Sequence, residues 1–133
     1  MRDDQVRRYA RHLALREVGG LGQTALLVAS ARIELREPEP TGELLAASYL
    51  AAGGVGTLVI GNASPAQRAD LAAHGPDTEV MEASSPDVPL RTRPLELRPR
   101  PAWWPSAPGD AVALAYWRAG AATTRWMLET IAK

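Results

Sequence analysis

The chain has no cysteine in 133 residues, which excludes a disulfide framework, a thiolate zinc site and a thioester-forming nucleophile. It has two histidines, His12 and His74, too few for a histidine-based metal site, so no metal is expected. No apolar run approaches the length that spans a bilayer, and the opening Met1-Arg-Asp-Asp is too polar for a signal peptide. Lysine is nearly missing too. Lys133 stands against fourteen arginines, and with 24 alanines this bias reads as a GC-rich coding sequence rather than as function. These absences predict a cytoplasmic protein.

What remains is globular material: 46% hydrophobic and 23% charged residues, in a length suited to one domain and short for two. The zero net charge hides an uneven layout, with +3 over residues 1–36, −7 over residues 37–87 and +4 over residues 88–133. A basic–acidic–basic order favours self-association or a charged partner protein. Nucleic acid would call for a net basic face.

Val6, Tyr9, Ala10 and Leu13 recur at helical spacing among arginines, predicting a helix from Asp4 to about Leu15 that Gly19-Gly20-Leu21-Gly22 breaks. Residues 23–30 read as a second short helix leading into a strand at residues 31–37. Glu37-Pro38-Glu39-Pro40 forms a turn, and Thr41 caps a helix from Gly42 to about Ala52. Gly53-Gly54 stops it, and residues 55–60 form a buried strand followed by Gly61-Asn62. Ser64-Pro65-Ala66-Gln67 supplies a cap, a first-turn proline and a capping-box glutamine for a helix to about Ala73. Residues 78–83 are a third strand, Pro94 confines residues 90–98 to a sheet edge, and residues 110–132 form the longest helix. Strands alternating with helices predict an α/β fold with a short, mostly parallel sheet and right-handed crossovers.

Two blocks carry a resemblance. Arg8-Tyr9-Ala10-Arg11-His12-Leu13 with Gly19-Gly20-Leu21-Gly22-Gln23 is the first; Tyr49-Leu50-Ala51-Ala52-Gly53-Gly54-Val55-Gly56-Thr57-Leu58, after a strand opened by Ala31-Arg32-Ile33, is the second. Together, over residues 8–62, they resemble the N-terminal signature of the ThiF/MoeB/HesA family, bacterial relatives of ubiquitin-activating enzymes. The resemblance implies a Rossmann-like three-layer αβα fold, here shortened to one truncated domain. Its parts would be an N-terminal helical segment (8–30), a βαβ core (31–98), a Trp/Pro loop (99–108) and a long C-terminal helix (109–133).

Family members bind ATP–Mg and adenylate the C-terminus of a ubiquitin-like carrier protein, using a Gly-x-Gly-x-x-Gly loop between the first strand and helix. In this chain that stretch carries Glu37, Glu39 and Glu43 and retains only Gly42, with two prolines that remove backbone donors. Asn62 stands where the family's ribose-holding aspartate would be. The resemblance therefore implies a non-catalytic pseudoenzyme with no cofactor, acting through protein–protein contacts. It would serve as a homodimeric scaffold or adaptor, or as the regulatory subunit of an intact ThiF/MoeB-type enzyme. The alternative is a residual ATP-dependent adenylyltransferase acting on a carrier protein or peptide.

Arg11 matches the family arginine that reaches the partner subunit's phosphates, which makes it a candidate for contact in trans; a solvated helix residue is the plainer reading. Arg8, Tyr9, Arg11, Leu13, Trp117 and Trp126 are the candidate interface residues, with Tyr9 and Leu13 packing the first helix either against the sheet or against a second subunit. The last helix is apolar on two faces, one for the sheet and one for a partner chain. Trp103 and Trp104, set between prolines, either plug a gap or anchor a partner. Asp70, Asp77, Glu79 and Glu82 have no ligand spacing and are taken as solvated surface.

Overall fold

The computed structural model describes residues 1–36, 40–99, 101–103 and 110–132. The chain order is α1 (Asp3–Arg8), α2 (Ala10–Ala14), α3 (Gly19–Leu27), β1 (Ser30–Glu34), α4 (Thr41–Ala52), β2 (Thr57–Gly61), α5 (Pro65–His74), β3 (Glu79–Glu82), β4 (Thr92–Pro94) and α6 (Asp110–Ile131). The four strands form one sheet in the order β3-β2-β1-β4, and every pairing is parallel. The expected α/β architecture with a short parallel sheet is present. Ile33 pairs with Ile60 and Ala31 with Leu58, so pleat alternation sends both apolar pairs to one face.

That face holds the core. Ala31, Ile33, Leu58 and Ile60 cluster with Leu26 of α3, Leu50 and Ala51 of α4, Leu71 of α5, and Ala119, Ala122 and Trp126 of α6. Each fully buried leucine or isoleucine contributes roughly 1.5–3 kcal/mol by leaving water. Alternation makes the other face mixed: Val59 is buried there beside Met81, while Ser30 bonds Thr92 (2.9 Å) and Arg32 pairs with Glu34 (3.0 Å).

Local signals explain most boundaries. Ser64 Oγ accepts from the Gln67 amide and Gln67 Oε1 from the Ser64 amide, closing the capping box ahead of α5. Gly54 ends α4 at φ +84°, a left-handed turn open to glycine. Pro94 sits on the edge strand, where its missing donor costs nothing.

Three expectations are corrected. The N-terminal helix is two helices broken at Tyr9 (φ −102°, ψ 21°), because that residue turns inward and is buried. Gly19-Gly20-Leu21-Gly22 starts a helix instead of ending one: Gly22 lies under Ile131, where an added Cβ would come to 3.1 Å from the isoleucine, so the glycine lets α3 approach α6. Thr41 is the first residue of α4, and Pro40 holds the cap position without a side-chain bond.

Candidate functional site

In parallel α/β sheets ligands bind beyond the carboxyl ends of the strands, where the strand order reverses. Here the reversal falls between β1 and β4. A crevice of about 200 Å³ lies there, lined by Arg32, Glu34, Arg36, Glu43, Glu96 and Leu97 among others. A second hollow of about 330 Å³ runs across the ends of β2 and β3, past Asn62, Arg68 and Glu82. Glu34 borders both hollows. Its carboxylate is paired with Arg32 and lies against Gly61, where any Cβ would collide with it. Arg68 pairs with Glu82 (2.9 Å) and donates to the Ala63 carbonyl (2.7 Å).

The first turn of α4 faces this crevice. Gly42 is buried, and a Cβ there would come to 2.7 Å from Leu97 Cδ1. The space that a glycine opens for a phosphate is therefore taken by a leucine from the segment after β4. Glu43 stands in the same turn, where a carboxylate suits the positive end of the helix. Glu37 and Glu39 lie outside the described residues. Asn62 is exposed with φ +64°, the left-handed conformation asparagine tolerates in turns, and it follows directly on β2.

Residues of the N-terminal helices gather elsewhere. Asp77, in the loop before β3, has only 4% of its side chain exposed. Its carboxylate accepts from Arg2 Nη2 (2.9 Å), Gln5 Nε2 (3.0 Å), Tyr9 Oη (2.6 Å) and Arg8 Nη1. Burial alone would push this acid up, but the bonds from Tyr9, Gln5 and Arg8 bring it below the usual carboxylate range. Its stabilising contribution is thus complete above the ordinary aspartate value and is lost as pH falls through its own lower one. Asp77 is not solvated surface. Only the charge layout hinted at it: part of the N-terminal positive excess is met inside the chain by the acidic middle.

Tyr9, expected to pack on the sheet or on a second subunit, and Trp126, expected at a subunit interface, are each only 3% exposed and lie inside the chain. Tyr9 covers Gly54, and its phenol is pushed up to about 12, by burial first and then by the Asp77 carboxylate. The folded state therefore holds the phenolic proton between pH 10 and about 12 while the unfolded chain loses it, so stability falls across that range. Denaturation midpoints at pH 9 and 11.5 should drop for the natural chain and drop less for Tyr9→Phe. Arg8 belongs to the same cluster and crosses the Tyr9 ring at 5.9 Å, while Leu13 is half-buried. Arg11 is exposed and forms no ion pair among the described residues.

The outer side of α6 remains apolar. Tyr116 and Leu128 are exposed there beside Trp117, Gly120, Ala121 and Thr124, along a shallow groove of about 620 Å³. Trp103 meets Trp117 edge to face, with centroids 5.9 Å apart, and is itself 71% exposed. Trp104 lies outside the described residues. Among these residues no set of three or more acids or histidines could hold a metal, and no helix is long and apolar enough to cross a membrane. Compared with protein-family models and with curated proteins, the chain matches none.

Proposed function

We propose that the chain is a non-catalytic relative of the ThiF/MoeB activating enzymes that works through protein–protein contacts. The observation that carries this reading is the start of α4: Leu97 packs on Gly42, and the crevice in front of it is lined by Glu34, Glu43 and Glu96 together with Arg32 and Arg36. A triphosphate placed there would meet a methyl group where it needs backbone donors. It would also meet the carboxylates of Glu43 and Glu96, each like-charge contact costing about 1 kcal/mol at 4 Å in water and several when shielded, with Glu34 already paired to Arg32 and Arg36 the remaining cation of the described lining. The apolar groove on α6 gives such a protein a surface for a second subunit. On this reading the chain forms a homodimeric scaffold or adaptor, or pairs with an intact activating enzyme to which the exposed Arg11 reaches in trans. The sheet face away from the helices would then take the third layer of the αβα arrangement from a partner.

Titration calorimetry with ATP–Mg is the direct test, and no saturable heat is expected up to millimolar nucleotide. Binding at micromolar concentrations would overturn the reading in favour of a residual adenylyltransferase. Light scattering after size exclusion should give twice the chain mass of 14.3 kDa for the homodimer. Tyr116→Glu combined with Leu128→Arg should return it to the monomer.

A further inference from the structure

We propose that residues 1–14 form a strap held shut by a single carboxylate, Asp77, and that losing this acceptor opens the strap while the sheet and its helices stay folded.

Neither α1 nor α2 buries a residue, and the large apolar side chains Val6 and Leu15 are exposed. Apart from Tyr9 and the half-buried Leu13, the strap therefore gains little from the hydrophobic effect, the term that holds the rest of the fold. The inward exception is Tyr9, whose ring lies on the backbone of Gly54. Its hydroxyl ends on Asp77, and so do side-chain donors from Arg2, Gln5 and Arg8. All four ties from α1 and its junction thus converge on two oxygen atoms.

The other tie comes from α2, where His12 Nδ1–H donates to Gln23 Oε1 (2.8 Å) and Gln23 Nε2 donates to the Gly53 carbonyl (3.0 Å). Those are bonds to neutral acceptors, weaker than bonds to an ionised carboxylate. Asp4 pairs with Arg2 and Arg8 inside the strap, so it travels with the strap and does not hold it. The sheet and α3–α6 keep their own core on opening, because every helical member of that cluster comes from α3–α6. Opening removes the cover from Gly54 and Gln23.

The strap carries its own reporters, since trypsin cleaves after arginine and needs the chain locally unfolded. The full chain, Asp77→Asn and Tyr9→Phe would be digested at limiting trypsin with mass-spectrometric readout. In Asp77→Asn, cleavage after Arg7, Arg8 and Arg11 should rise about 10- to 100-fold, the loss expected for bonds to a charged acceptor. Cleavage after Arg68, Arg118 and Arg125 should stay at the natural rate. Tyr9→Phe removes one donor of four and should move the same N-terminal sites by less. Unchanged strap cleavage in Asp77→Asn would mean that another contact holds it. A parallel rise at all sites, or failure of the variant to fold, would make strap and core one cooperative unit. Either result overturns the proposal.

Discussion

Trp126→Ala is expected to lose about 3–5 kcal/mol of folding stability, as full truncation of a buried tryptophan does. The side chain is 3% exposed and joins the helical cluster to the sheet, with the Arg93 guanidinium 4.9 Å from the ring centroid. Arg93 in turn donates to Thr130 and to Glu129, so the indole is clamped between β4 and α6. Its Nε1–H is buried and has no acceptor among the described residues. A buried donor left unmade costs about 1–3 kcal/mol, so Trp126→Phe removes that penalty along with some packing volume. The phenylalanine variant should therefore lose less than half of what alanine loses. Urea denaturation of both variants is the measurement. An alanine variant as stable as the natural chain but changed in oligomeric state would return Trp126 to a subunit interface.

Gly56→Ala carries the second large effect. The new Cβ would strike the carbonyl of Leu27, at the end of α3, and backbone cannot rotate aside as a side chain can. Three backbone bonds hold the site: Gly56 N–H to Leu26 O (3.0 Å), Thr57 N–H to Ala29 O (3.0 Å) and Glu79 N–H to Gly56 O (2.9 Å). Relieving the clash moves α3, the start of β2 and β3 against one another. A loss of about 3 kcal/mol or more is expected, at the upper end of overpacking costs. Gly20→Ala is the contrast. Nothing lies within 4 Å of its added Cβ, and it sits on the exposed side of α3. That change should gain up to about 1 kcal/mol through the unfolded chain and the better helix former. Thermal unfolding of the pair separates them, and equal destabilisation of both would contradict the packing described for Gly56.

How far the candidate site could be read beforehand depends on the kind of contact. The acids at the start of α4 and the lone Gly42 are visible as letters, because they are neighbours in the chain. Leu97 on Gly42 is not visible: 55 positions separate the two residues, and only the passage of β4 alongside β1 brings the leucine back over the helix. Asp77 was missed for the same reason. Nothing in its own surroundings distinguishes it from Asp70 or Glu79, and its four donors come from the first nine residues.

Local chemistry settled the elements whose signals are local. The cap and proline of α5, the glycine stop after α4, the edge position forced by Pro94 and the 22 residues of α6 all follow from short-range sterics and hydrogen bonding. The alternation of strands and helices settled the α/β class and its parallel sheet, because parallel strands need crossovers. Long-range packing decided the rest. It split the first helix at Tyr9, turned the glycine run into the start of α3, and drew Tyr9 and Trp126 inward while leaving Tyr116 and Leu128 outside. The physical reason is that hydrophobic burial is non-directional: periodicity marks which side chains will leave water, and the surface that receives them exists only once the strands have paired.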